Sequence, residues 1–139
     1  MDPLKLENQL CFPLYAVSRE IVKKYKPFLD EIDLTYTQYI TMMVLWESKE
    51  ILVKDLGAKL FLDSGTLTPV LNALEKKGFV ERKRSETDKR DMYAVITKSG
   101  MDLKKKAKSI PAKIGACVPL SPEKAATLYN ILYELMGNL

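Results

Sequence analysis

The sequence contains no histidine, and this absence excludes several kinds of site. Without an imidazole there is no His ligand for a metal, no His general base and no His partner for a Ser or Cys nucleophile. A phosphate-binding Gly-rich loop and a nucleophile elbow are also absent. We therefore predict a protein that is not an enzyme, and we expect no metal site and no cofactor.

Cysteine and long apolar runs are scarce as well. The two cysteines, Cys11 and Cys117, lie far apart in the sequence, and in a reducing cytosol we do not expect a structural disulfide between them. No run of about 18 apolar residues occurs, so the sequence predicts no membrane span. The start MDPLKLENQL is charged and does not resemble a signal peptide. We expect a cytoplasmic protein.

The composition is that of an ordinary globular chain. Hydrophobic residues make up 47% and charged residues 29% of the 139 positions, which suits one domain with its own core. The net charge is +4 and the pI is about 9.0. This balance gives mild support for a polyanionic partner such as DNA.

The central stretch, residues 53–97, predicts a helix-turn-helix followed by a two-stranded hairpin. Leu67, Leu71 and Leu74 repeat at helical spacing and give the second helix an apolar face. Asp63 is placed to cap the start of that helix, and Gly78 follows its end.

The opposite face of the second helix is small, polar and almost uncharged, as a helix that enters a DNA major groove requires. A Thr methyl can contact a thymine methyl, and an Asn can pair with adenine. Pro69 fits the first turn of a helix that starts late, or kinks one that starts at Ser64, and the caps favour the earlier start. The predicted DNA-binding residues of this helix are Ser64, Gly65, Thr66, Thr68, Pro69, Asn72 and Lys76.

The hairpin predicts a wing beside the helices. Its strands are expected at 79–84 and 92–97, and cations cluster near its tip. From these cations we predict DNA contacts by Arg84, Lys89 and Arg90, with Arg90 directed toward a minor groove. Asp88 can pair with a neighbouring Arg and hold the loop. A solvated hairpin with ordinary surface charge is the alternative, and the preceding helix pair favours DNA.

The N-terminal part predicts two further helices. The first is expected over 3–26, with Pro13 bending it and Pro27 marking its end. A capping box that begins at Thr35 places Tyr36 in the first turn of the next helix.

The C-terminal part predicts a helix that opens at Thr97 and is kinked by Pro111. Cys117 is expected in a loop, and a last helix begins after Ser121.

These elements predict a mainly α fold with a small β-hairpin wing (α+β), a winged helix-turn-helix dimerised through its N- and C-terminal helices. We assign 1–139 to one domain, in which 35–97 form the DNA-binding unit. Segments 1–34 and 98–139 supply apolar helices that this unit does not need, so we predict a homodimer interface. Packing of these helices within the monomer is the alternative.

Several strings in the chain carry a resemblance to a known family. They are LENQLCFPLYAVSRE (6–20), LTYTQYI (34–40), LFLDSGTLTPVLNALEKKG (60–78) and RKRSETDKRD (82–91). Together with the order of elements, they resemble the multiple-antibiotic-resistance regulator (MarR) family, and within it the organic hydroperoxide sensors of the OhrR type.

The resemblance implies roles for five residues. Cys11 takes the place of the peroxide-reactive cysteine, and Tyr25 and Tyr36 match tyrosines that the partner subunit donates to poise it. Tyr15 matches a third aromatic residue near the thiol. Cys117 lies close to the place of a second cysteine that, in some members, forms a disulfide across the dimer. Other members of the family have a single cysteine, and after oxidation it forms a disulfide with a low-molecular-weight thiol.

The sequence therefore predicts a regulator, in the first place a repressor, that binds a pseudo-palindromic double-stranded operator and releases it when an organic hydroperoxide oxidises Cys11. One alternative is a MarR-type regulator that leaves its operator when a small aromatic ligand binds in the dimer cleft. In that case Cys11 is not the sensor. The residues are also compatible with a two-cysteine thiol peroxidase and with a nonspecific architectural DNA protein.

Overall fold

Seven α-helices and a three-stranded antiparallel sheet make up the fold, which a computed structural model describes for all of residues 1–139. A short 3₁₀ turn, Leu6–Asn8, precedes them. The helices are α1 Cys11–Asp30, α2 Tyr36–Ser48, α3 Val53–Leu60, α4 Ser64–Lys76, α5 Lys98–Ala107, α6 Ile110–Cys117 and α7 Pro122–Gly137. The strands are β1 Glu50–Leu52, β2 Val80–Arg84 and β3 Met92–Ile96.

One hydrophobic cluster of 19 buried residues forms the core. It is centred on α2 and α4, where Met42, Leu45 and Leu74 are completely buried. The indole Nε1 of Trp46 donates a hydrogen bond of 2.9 Å to the carbonyl of Gly100, which joins α2 to α5. The cluster also includes Leu103 and Ile114, so α5 and α6 pack onto the same core as the helix-turn-helix.

The sheet is larger than the sequence predicts. Its order is β1-β3-β2, and the β2–β3 hairpin runs from the pair Val80–Ile96 to the pair Arg84–Met92. The predicted hairpin is confirmed, but the expectation of only two strands was wrong because β1 pairs with β3 on its other edge. Three residues are too few to show the alternation that identifies a strand.

The predicted bounds of the first helix were wrong. The helix begins at Cys11 and not at residue 3, and Pro13 lies in its first turn, where a missing N–H costs little and causes no bend. It then continues through Pro27 to Asp30. Packing of Leu29, which is 2% exposed, offsets the backbone hydrogen bond that Pro27 cannot make.

The C-terminal part also departs from the prediction. Instead of one helix kinked by Pro111, the structure has two helices, and Pro111 is in the first turn of the second. Proline favours that position because its fixed φ suits a helix start. As a result α6 extends to Cys117, which was expected in a loop and is instead the last residue of a helix. The predicted cap of α7 is confirmed, since Ser121 accepts a hydrogen bond from the N–H of Lys124.

The two terminal helices, α1 and α7, have their apolar side chains uncovered. Helix α7 has no buried residue, and Leu29 is the only one in α1. Large apolar side chains exposed in such number on one helix are typical of an interaction site. No helix has the length and hydrophobicity that crossing a bilayer would require. The exposed large apolar side chains of α1 and α7 are Phe12, Leu14, Tyr15, Val17, Val22, Leu128, Tyr129, Ile131, Tyr133, Leu135 and Met136.

Candidate DNA interface and redox site

Helix α4 begins and ends as its sequence predicts. The Asp63 carboxylate accepts a hydrogen bond of 2.8 Å from the N–H of Thr66, and this bond lowers the pKa of Asp63 below its ordinary value. Gly78 follows the helix with φ at +83°, a left-handed conformation that glycine adopts without strain. The helix starts at Ser64, so the earlier of the two predicted starts is confirmed, and Pro69 lies inside it.

The two faces of α4 differ as a recognition helix requires. Leu67, Val70, Leu71 and Leu74 are buried, which fixes the helix against the core. We call the opposite side the reading face. The hydroxyl of Thr68 donates a hydrogen bond of 2.7 Å to the carbonyl of Ser64, so its proton is used within the helix. The reading face consists of the predicted residues Ser64, Gly65, Thr66, Thr68, Pro69, Asn72 and Lys76, and all of them are exposed.

Asn72 has a hydrogen-bond partner within the protein that the sequence does not predict. Its Oδ1 accepts a hydrogen bond of 2.6 Å from Nη2 of Arg82 on β2. Pairing with adenine uses the same oxygen, so it would compete with the bond from Arg82. Arg82 carries no special signal in the sequence, because its partners on α4 are defined only when the hairpin folds back onto the helix.

The wing tip has the internal pairing that was predicted for Asp88. The side chain of Arg90 donates through Nε at 3.2 Å and Nη2 at 3.1 Å to the Asp88 carboxylate, and these bonds lower the pKa of Asp88. Arg84 donates to the carbonyl of Lys89 across the loop. The Arg90 side chain is 90% exposed in spite of its pairing, so it can still meet a phosphate backbone. Lys89 is exposed beside it.

Two lysines join this region to its surroundings, and sequence patterns did not single them out. Lys54 on α3 lies 3.6 Å from the carboxylate of Asp91 at the base of the wing. Lys77 follows α4 and donates to Oε1 of Gln38 at 3.0 Å and to the carbonyl of Asp33. Both contacts bridge residues far apart in the chain, so no local pattern predicts them.

Two of the three predicted thiol-poising tyrosines, Tyr25 and Tyr36, form an aromatic cluster with Tyr39 near the end of α1. The ring centroids of Tyr25 and Tyr36 are 4.9 Å apart, and Tyr39 lies 5.7 Å from Tyr25. Burial, followed by the neighbouring Tyr36 and Tyr39, raises the pKa of Tyr25 to about 12. Burial also raises the pKa of Tyr36. These phenols therefore keep their protons at neutral pH and act as hydrogen-bond donors.

Cys11 lies away from this cluster within one chain. It is exposed and is the first residue of α1, the position at which a helix stabilises a negative charge. Tyr25 is on the same helix, and a rise of 1.5 Å per residue separates the two residues by about 21 Å. That distance exceeds the reach of the side chains. Tyr15 is one turn after Cys11, and its ring faces the guanidinium of Arg19 at 5.3 Å.

Cys117 does not pair with Cys11 inside the chain. Both thiols are free and exposed. Nor is there any group of three or more His, Cys, Asp or Glu side chains close enough to hold a metal ion.

The exposed reading face of α4 and the cationic wing define a winged-helix protein of the kind that binds DNA and regulates transcription. Residues 23–107 match the family described as Transcriptional regulator SarA/Rot. The chain is also 48% identical over 138 residues to the organic hydroperoxide resistance transcriptional regulator of Bacillus subtilis (strain 168), a match that covers 99% of this chain and 94% of that relative.

Solved structures agree with this match. Reduced AbfR bound to DNA, a protein of Staphylococcus epidermidis, is 33% identical with a TM-score of 0.79, over 96% of this chain and 91% of that chain. AbsC of Streptomyces coelicolor, a MarR family transcriptional regulator, shows the likeness of fold, with a TM-score of 0.84 at 22% identity, over 99% of this chain and 97% of that chain.

The chain belongs to the SarA/Rot family of transcriptional regulators. The predictions of a winged helix-turn-helix, of a DNA-binding regulator and of a protein that is not an enzyme are confirmed.

Proposed function

We propose that the protein is a homodimeric repressor in the cytoplasm that releases a pseudo-palindromic operator when an organic hydroperoxide oxidises Cys11. The observation that carries this proposal is the distance between Cys11 and Tyr25 along α1, about 21 Å. A thiol at one end of a helix and a phenol cluster at the other come together only when a second chain runs alongside in the opposite direction. The resemblance to the hydroperoxide sensors implies the same arrangement.

The uncovered terminal helices support the dimer. A stable interface buries about 800 Å² per partner and is usually two-fold. The exposed apolar side chains of α1 and α7 offer such a surface. A two-fold dimer presents two copies of α4, which suits an operator with two half-sites about one helical turn apart.

The chemistry begins with the Cys11 thiolate. Its sulfur attacks one peroxide oxygen, the O–O bond breaks, and the other oxygen leaves and takes up a proton as an alcohol. Sulfur loses two electrons and becomes a sulfenic acid, while the peroxide is reduced. The sulfenic acid then condenses with a second thiol, either Cys117 of the partner or a low-molecular-weight thiol, to give a disulfide and water.

The surroundings of Cys11 favour an organic peroxide. Phe12, Leu14 and Val17 are exposed apolar side chains on the first turns of α1. Protonated phenols of Tyr25 and Tyr36, brought by the partner, would donate hydrogen bonds to the thiolate and hold it for attack. Conversion to a disulfide changes the packing between the two chains, so the spacing of the two α4 helices no longer fits the operator.

Relatives support a redox function for the family. The Bacillus subtilis relative is a regulator of organic hydroperoxide resistance. AbfR has been solved in a reduced form, an overoxidized form and a disulfide form.

The test is a peroxide titration of the protein–operator complex by band shift, with cumene hydroperoxide as oxidant. Native protein is expected to release the operator, and Cys11→Ser to stay bound at every peroxide concentration. Cys117→Ser is the matched control, since it removes the other thiol. Release of the Cys11→Ser variant by peroxide would end the proposal.

A groove between α2 and α5 supports a second candidate, release by a small aromatic ligand. It has a volume of about 390 Å³, and Tyr39, Met43 and Trp46 form its apolar wall. The charged residues beside them are two cations and one carboxylate, Lys104, Lys108 and Glu47. Aromatic walls with adjacent cations suit an aromatic carboxylate. Operator release by benzoate from the Cys11→Ser variant under reducing conditions would favour this candidate over the thiol.

A further inference from the structure

The recognition helix and the wing are joined by a single side chain, Arg82 of β2. Its Nη2 donates to Oε1 of Glu75 at 3.0 Å and to Oδ1 of Asn72 at 2.6 Å. Its Nε and its backbone N–H donate to Oε2 of Glu75 at 3.4 and 3.1 Å. Three of the four hydrogen bonds therefore anchor Arg82 to Glu75, and the fourth reaches Asn72 on the reading face.

This arrangement fixes the orientation of the Asn72 carboxamide. A guanidinium has donors and no acceptor, so the atom of Asn72 that faces Arg82 has to be Oδ1. The opposite orientation would bring two donors together. Because Oδ1 is turned toward the protein, the Nδ2 amine and its two protons remain for any partner of this exposed residue.

The consequence concerns which base Asn72 can recognise. In the major groove adenine presents the N7 acceptor and the N6 donor, and pairing with it takes both the oxygen and the nitrogen of an Asn. Guanine presents two acceptors, N7 and O6. A carboxamide whose oxygen is already held by Arg82 therefore matches guanine better than adenine, because guanine offers its amine two acceptors and adenine only N7.

We propose that Arg82 determines base specificity by occupying Asn72 Oδ1, so that Asn72 selects guanine over adenine in each half-site. The proposal rests on the proposed contact between the reading face and the operator, and it adds the base that one residue selects. Arg82 is a positioning residue, since it acts through Asn72 and not on the DNA itself.

Anchoring by Glu75 is the reason the orientation should persist on DNA. Hydrogen bonds between a guanidinium and a carboxylate are charge-assisted and stronger than those between neutral groups. To pair with adenine through Oδ1, Asn72 would have to weaken or give up its bond to Arg82, and Nη2 would then keep only its bond to Glu75. That loss would offset the bond gained to the base.

The first experiment locates the base and leaves Arg82 intact. Native protein and Asn72→Ala select from an operator library randomised in both half-sites, and the bound DNA is sequenced. Asn72→Ala should lose selectivity at one position per half-site. At that position the native protein should prefer guanine to adenine by about tenfold, the discrimination of a well-made base contact.

The second experiment changes the positioning residue. Arg82→Met has no donor, so Asn72 can turn and pair with adenine, and the guanine-to-adenine ratio should fall about tenfold, to parity or below. Glu75→Gln is the matched control, because it weakens the anchor of Arg82 but leaves Arg82 itself and its bond to Asn72, and the preference for guanine should fall by less than it does in Arg82→Met. We compare guanine-to-adenine ratios because loss of Arg82 leaves the charge of Glu75 unpaired, which should weaken the binding of all DNA sequences alike.

The outcomes separate this inference from the proposed function. Adenine preferred by the native protein, an Asn72→Ala variant with unchanged selectivity, or guanine retained by Arg82→Met would each overturn the inference while operator binding stands. A native protein without any sequence preference would overturn both. The native and Asn72→Ala arms decide the question even if Arg82→Met does not fold.

Discussion

Helices α4 and α7 are both amphipathic, yet only one of them is covered by its own chain. Helix α4 has 13 residues and buries Leu67, Val70, Leu71 and Leu74. Helix α7 has 16 residues and buries none. The first helix obtains its stability from the core that it helps to form. The second leaves its apolar residues available for a surface outside the chain.

This difference indicates that α4 and α7 serve different purposes, presentation of the reading face and association with a second chain. A reading face can be presented accurately only by a helix whose other side is fixed, and the burial of α4 does this. A helix that is stabilised mainly by another chain can move when that contact changes. We therefore expect mutations in α4 to act on folding and those in α7 to act on association.

The largest effect is expected from Leu71→Ala. It deletes a side chain that is 1% exposed and should lower the free energy of unfolding by about 3 kcal/mol, whatever the protein concentration. Chemical denaturation measures this change. Thr68→Ala, on the reading face of the same helix, is the control and should alter stability by less than about 0.5 kcal/mol while weakening operator binding. Equal destabilisation by both variants would contradict the division of α4 into two faces.

A smaller effect is expected from Ile131→Glu on α7. The side chain is 54% exposed in the single chain, so a charge there should leave the fold of the monomer intact. In a dimer it would be buried, and the dissociation constant should rise about 30-fold or more. Analytical ultracentrifugation measures the change, with the neighbouring Asn130→Glu as control. A dimer that tolerates both substitutions equally would place the interface elsewhere.

A smaller loss of stability is expected from a substitution at the start of α2. Thr35 caps α2 because its hydroxyl oxygen accepts a hydrogen bond from the N–H of Gln38, and Oε1 of Gln38 accepts one from the N–H of Thr35. Loss of the cap in Thr35→Ala should cost about 1 kcal/mol, which a fall in the thermal midpoint reports. Thr35→Ser is the control, because its hydroxyl can accept the same hydrogen bond. If both variants have the same thermal midpoint, the capping box does not stabilise α2.

A further effect is confined to high pH. The pKa of Tyr25 is 10.0 in an unfolded chain and about 12 in the folded one. The folded state therefore holds the proton more tightly, and the stability associated with it is complete below pH 10 and is lost as the pH rises toward 12. Tyr25→Phe should show a shallower fall in unfolding free energy across that window. An unchanged slope would mean that the aromatic cluster is open to water.

Local signals explain which parts of the fold the sequence could predict. The caps at Thr35, Asp63 and Ser121 and the leucine spacing of α4 act within a few residues, and the structure has them where the sequence placed them. The hairpin was also recognisable, because two runs of strand-forming residues flank a charged turn.

The remaining features depend on partners distant in the chain. Strand β1 exists because β3 is beside it, and Pro27 stays in a helix because its neighbours pack on the core. The bond between Arg82 and Asn72 likewise needs the folded hairpin. For the candidate redox site, the sequence supplied Cys11, Tyr25 and Tyr36 by resemblance, and their roles there remain predictions.

Hydroxyl-radical footprinting of the operator before and after cumene hydroperoxide tests whether oxidation of Cys11 releases a two-fold dimer from DNA. Two protected stretches of the sugar–phosphate backbone are expected about 10 base pairs apart on one face of the duplex, with protection of the flanking minor grooves by the wings. All of this protection should disappear on oxidation of native protein and persist with Cys11→Ser. A single protected segment, or a footprint that survives oxidation of the native protein, would contradict the account.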